Sequence, residues 1–71
     1  MAKLSQVESS LIDAIGYDTE TQELTVKFKR GGVFAYEEVP KDTFQAFLNA
    51  ESIGRYFLAH IKHKFNYRKE A

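Results

Sequence analysis

The chain has 71 residues, six Phe and four Tyr among them, no cysteine, and ten Lys/Arg balancing ten Asp/Glu to a net charge of 0. A single domain of this size buries only about 60% of the surface its unfolded chain exposes, so aromatic rings must supply most of its interior. The missing cysteines exclude a disulfide framework and a thiolate zinc site. MAKLSQVESS at the start has no apolar run, and no later stretch is long enough to span a bilayer, so a soluble, cytoplasmic domain without a signal peptide is expected.

In chain order, SSLIDAIGYD (9–18) reads as a strand with Leu11, Ile12, Ile15 and Tyr17 apolar. The odd step from Ile12 to Ile15 predicts a bulge near Asp13-Ala14 or partial cover on both faces. Asp18 to Gln22 is a polar turn. ELTVKFKR (23–30) alternates, with Leu24, Val26 and Phe28 on one face and Thr25, Lys27 and Lys29 on the other, as a half-buried antiparallel strand does. Gly31-Gly32 supplies the positive φ of a tight hairpin, and VFAYEEV returns as a third strand.

Pro40 suits a first helical position, with Val39 as a staple and Phe44, Phe47 and Leu48 on one helical face. Ser52 is the expected N-cap of a second helix carrying Ile53, Phe57, Ile61 and Phe65 at four-residue spacing, with Tyr56 alongside. Gly54 near its start suggests close packing, since glycine otherwise costs a helix about 1 kcal/mol. The expected fold is α+β: a three-stranded antiparallel β-meander followed by two helices packed on one face, β-β-β-α-α. Residues 1–8 are expected as a flexible N-terminal segment, 9–67 as the domain and 68–71 as a flexible C-terminal tail.

Whether Phe34 and Tyr36 face inward depends on the hairpin, because a one-residue shift in register exchanges the faces. A two-residue Gly31-Gly32 loop sets Phe28 opposite Ala35 and leaves both rings outside beside Lys27 and Lys29, a surface suited to stacking bases. A three-residue Arg30-Gly31-Gly32 loop sets Phe28 beside Phe34 and Val26 beside Tyr36, so both rings join the core and Val33 and Ala35 face out. A chain this short needs the burial, which favours the second register.

The run SSLIDAIGYD, a strand ending in a glycine turn, Phe34-Ala35-Tyr36, Val39-Pro40 and AESIGRYF followed by Ile61 together resemble the KTSC domain. That family is named for a C-terminal appendage of some lysyl-tRNA synthetases and includes small free-standing proteins of bacteria and phages. The resemblance covers about residues 9–67. Its usual Tyr-x-Tyr with a polar middle residue is Phe34-Ala35-Tyr36 here, which removes the first hydroxyl. Ser52-x-Gly54-x-Tyr56-Phe57 matches the second helical motif. The resemblance implies a structural role for Phe34, Tyr36, Pro40, Ser52, Gly54, Phe57 and Ile61. Attachment to a tRNA-charging enzyme implies contact with RNA.

Charge is uneven along the chain. Arg55, Lys62, Lys64, Arg68 and Lys69 face Glu70 alone after residue 51, whereas acidic residues dominate before it. A basic end suits an anionic partner, and it also complements the dipole of a last helix. Lys27, Lys29 and Arg30 on the hairpin are expected to join Arg55, Lys62, Lys64 and Arg68 in one RNA-contacting surface, with Tyr56 or Tyr67 as a stacking face. The rival expectation is a module for protein–protein interaction or self-association.

No catalytic constellation is apparent. His60 and His63 lack a third ligand at helical spacing, so no metal is expected. Ser9, Ser10 and Ser52 have no activating base, and Gly31-Gly32 lacks the Lys-Ser/Thr of a phosphate cradle. Neither an enzyme, a cofactor nor a small-molecule substrate is expected.

Overall fold

The computed structural model describes residues 4–70. Five strands form one antiparallel sheet whose spatial order follows the chain: β1 (Ser5–Gln6), β2 (Ile12–Asp18), β3 (Glu23–Phe28), β4 (Val33–Tyr36) and β5 (Tyr67–Lys69). Between β4 and β5 the chain makes helix α1 (Lys41–Leu48) and helix α2 (Ile53–Tyr56), the latter running on into a π turn over Phe57–Ile61. The meander thus holds five strands rather than three. Its two added members are the short borders, and the domain bounds expected at 9 and 67 fall inside the sheet.

The bulge lies where the apolar pattern breaks. Ile12 pairs with Phe28 and Ala14 with Lys27, so Asp13 is the extra residue. One inserted residue restores Ile15 and Tyr17 to the same face as Ile12. That inner face carries Leu24 and Val26 from β3 and Phe34 and Tyr36 from β4, because Leu24 pairs with Tyr36 and Val26 with Phe34. The inward register therefore holds in its facing, although the connection is longer than a three-residue loop. Lys27 pairs with Val33, which leaves Phe28 to Gly32 between them. The Lys29 amide is held by the Leu11 carbonyl at 3.0 Å, so the end of β3 stays with β2 and β4 starts later. Gly31 and Gly32 both take positive φ there, +106° and +93°.

The helices cover the inner face. Ile12, Ile15, Leu24, Val26, Tyr36, Val39, Phe47, Phe57 and Ile61 form the buried core. α1 docks by stacking Phe44 on Tyr17, with ring centroids 4.5 Å apart. The Tyr17 hydroxyl donates to the Val39 carbonyl, which fixes the entry to α1. Pro40 is the residue before the first helical turn rather than within it, and its carbonyl accepts from the Phe44 amide at 3.1 Å. Leu48, expected on the buried face, is exposed.

Ser52 caps α2 as expected, its Oγ accepting from the Arg55 amide at 3.3 Å. A Cβ on Gly54 would lie 3.3 Å from Ser9 Oγ and 3.4 Å from Leu11 Cβ, so glycine lets α2 meet the loop before β2. The helix does not continue to Phe65. The Lys62 amide bonds the Phe57 carbonyl at 2.9 Å, a widened turn, and residues 62–64 turn away toward β5. Phe65 still packs on the core, but from a loop. No helix of the described residues is long and apolar enough to cross a membrane.

Candidate functional site

Five rings meet where α2 and its π turn cross β4 and β5. Phe57 sits edge-on to Phe28 and to Tyr36, at 5.3 and 5.4 Å between centroids. Tyr67 lies against Phe34 at 5.7 Å and Tyr36 at 5.3 Å, because Tyr67 is the register partner of Tyr36. The rings do not close over one another. They leave a groove of about 270 Å³ lined also by Leu11, Leu58, Lys62 and His63. Two of the exposed large apolar residues, Leu58 at 49% and Tyr67 at 56%, lie on its walls.

Tyr36 forms the floor. The residue is 3% exposed, and its hydroxyl, which makes no hydrogen bond to the described residues, keeps contact with solvent in the groove. Burial first, and then the neighbouring Tyr67 phenol, push its pKa up to about 12, so it stays a neutral donor and acceptor at physiological pH. At the rim, no carboxylate of the described residues comes within 4.0 Å of Lys62 or His63.

The expected basic surface is not one surface. Lys27 and Arg68 stand on the outer face of the sheet, opposite the helices, as their register with Val33 and Ala35 requires. Both are engaged there. Lys27 Nζ is 3.8 Å from Asp13, the bulge residue. Arg68 reaches Glu23 at 2.6 Å, Glu70 at 3.2 Å and Glu37 at 3.3 Å. The bond to Glu23 and the charges of Glu23 and Glu70 raise its pKa further above the ordinary arginine range. The polar neighbours also shelter Ala35, which faces outward yet is fully buried.

Lys29 lies beside the loop of residues 6–10, and Arg30 is exposed in the turn after β3. Arg55 and Tyr56 line a separate, more open cleft with Ala50, Ala59 and His60. Tyr56 is spent on packing, stacked on Phe47 at 5.8 Å and against His60 at 4.6 Å. Lys64 is exposed in the turn after the π turn. Of the expected cations, only Lys62 borders the aromatic groove. Among the described residues no cluster of three or more His, Cys, Asp or Glu is placed to hold a metal ion.

From sequence, Leu11 reads only as a strand residue, His63 only as a metal ligand lacking partners and Tyr67 only as an alternative stacking face, and Leu58 carries no signal. The available signal was an excess of rings over what so small a core can enclose. It could not show where the surplus gathers, because Tyr67 reaches the groove through strand β5.

The fold is that of a small α+β domain, an antiparallel sheet with two helices on one face. The KTSC domain matches residues 8–65, and the chain belongs to that family. The KTSC domain protein of Yersinia pestis superposes with a TM-score of 0.96 at 38% identity over 100% of both chains. A protein of Tsukamurella paurometabola is 42% identical over 62 residues, 87% of this chain and 92% of that one. A lysine–tRNA ligase of Trichormus variabilis is 39% identical over 66 residues, which is 93% of this chain but 12% of the ligase.

Proposed function

We propose that this domain is a non-catalytic, RNA-contacting accessory module that engages phosphates through Lys62, His63 and Lys64 at the end of the second helix. The observation that carries the reading is the contrast between two sets of cations. Lys27 and Arg68 are held by carboxylates on the outer face, whereas Lys62 borders exposed aromatic surface with no carboxylate of the described residues in reach. Uncommitted cations beside exposed rings are what single-stranded nucleic acid requires of a protein. The occurrence of a matching segment in lysine–tRNA ligases supports RNA as the partner.

Titration with tRNA and with single-stranded oligonucleotides at two salt concentrations tests the reading. Saturable binding is expected, with a logarithmic salt slope near −0.7 for each phosphate neutralised on a single strand. Lys62→Ala with Lys64→Ala should flatten that slope by roughly one to two such contacts, while Lys27→Ala leaves it unchanged. Absence of saturable binding at low salt rejects the proposal.

Exposed Leu58 and Tyr67 favour a second reading, a surface for a protein partner or a second copy. That role predicts a mass in sedimentation that rises with protein concentration and changes little with salt.

A further inference from the structure

We propose that the aromatic groove is a pocket for one unstacked nucleotide, its base lodged over Tyr36 and its phosphate held at the rim by Lys62 and His63. This rests on the reading of the domain as an RNA-contacting module and specifies where and how a base is held.

Three features select that ligand. The first is shape and chemistry of the walls. Phe28, Phe34, Phe57 and Tyr67 offer ring faces and edges at varied tilts, and Leu11 and Leu58 close the sides. Flat π surfaces are gripped by such walls with little regard to base identity. The volume of about 270 Å³ lies just below the roughly 300–1,000 Å³ of pockets for drug-sized ligands, which suits one ring system.

The second feature is the Tyr36 hydroxyl, which belongs to a residue only 3% exposed yet keeps contact with solvent in the groove and has no protein partner among the described residues. An acyl chain or a leucine side chain in the groove would seal that hydroxyl away from water without a bond, which is unfavourable. A heterocycle presents ring nitrogens, carbonyls and exocyclic amines along its edge and satisfies it. The third is charge. Lys62 and His63 border the mouth, and an anion attached to the ring, at the reach of a sugar, would meet them.

The π turn belongs to the same construction. The turn over Phe57–Ile61 supplies both Phe57 and Leu58 to the groove, and its closing bond from the Lys62 amide to the Phe57 carbonyl sets where Lys62 leaves the helix. Widened turns of this kind often mark functional sites.

The experiment uses the full chain and three probes at one salt concentration: a fluorescein-labelled oligouridylate octamer, the same octamer with abasic sugars throughout, and free uridine and adenosine monophosphates. Binding is read by anisotropy and by aromatic chemical shifts. The octamer with bases should bind about tenfold or more tighter than the abasic one and shift the rings of Phe34, Tyr36 and Tyr67. Tyr36→Phe, which keeps the ring, should shrink that preference several-fold. Leu58→Trp, which fills the groove from an exposed position, should abolish it while binding of the abasic octamer persists.

Equal binding of the two octamers overturns the pocket and leaves the RNA-contacting role standing. Failure of every probe overturns both. Monophosphates binding as tightly as the octamer support the pocket with free nucleotide as its source. Concentration-dependent dimerisation abolished by Leu58→Trp, with no nucleotide effect, overturns the proposal in favour of a second copy.

Discussion

Tyr36 packs between Phe57 and Tyr67, and its phenol is held protonated well past its ordinary range, to about 12 from 10.0. The unfolded chain releases that proton first as pH rises. The folded state therefore binds more protons between pH 10 and about 12, and stability is lost across that window while remaining whole below it. Urea midpoints should therefore fall faster with pH across that window in the parent chain than in Tyr36→Phe. Gly54 gives a second test. Alanine normally stabilises a helix by about 1 kcal/mol over glycine. Here the new methyl meets Ser9 Oγ, which already accepts from the Leu11 and Ile12 amides at 3.2 Å each and is not free to yield. Gly54→Ala should thus lower the thermal midpoint, and Ser9→Gly should recover part of the loss. Both residues were legible from sequence, Tyr36 through the burial a short chain needs and Gly54 through its cost in a helix. Arg68 was not. Its carboxylate partners Glu23, Glu37 and Glu70 gather only because β5 lies beside β4, and no local spacing reports that.

The elements divide in the same way. β2, β3 and β4 announce themselves by apolar alternation, and the break between Ile12 and Ile15 marks the bulge. β1 and β5 contain two and three residues, all exposed, and offer no period to read. The end of the second helix misleads for a related reason. Ile61 and Phe65 are four apart as on a helix face, yet Phe65 reaches the core from a turn. Phe57, by contrast, ties the helix to Phe28, Tyr36 and Phe47 at once. Phe57→Ala should cost about 3–5 kcal/mol, close to the whole stability of a small domain, and leave the chain largely unfolded by circular dichroism. Arg68→Ala probes β5 more gently. It leaves three carboxylates near one another on the outer face, so the thermal midpoint should drop at low ionic strength and converge on the parent value as salt is added.

At the scale of the whole molecule, neutrality conceals a division of labour between two faces. The outer face sets Lys27 and Arg68 among four carboxylates, Asp13, Glu23, Glu37 and Glu70, over the small residues Ala14, Gly16 and Ala35, whereas the helical side keeps its rings half uncovered and Lys62 uncommitted. Electrostatic attraction of an anionic partner should accordingly approach from the helical side. Charge reversal at Lys62 should slow association, and reversal at Lys27 should not. Tyr67 is at once a wall of the groove and the first residue of the strand bordering the sheet, so any occupant of the groove also clamps the end of the chain. The Glu70 amide, bonded to the Val33 carbonyl at 2.7 Å, is the reporter of that coupling. Its hydrogen exchange should slow when the groove is filled, by the same factor with which occupancy favours the docked strand over the frayed one.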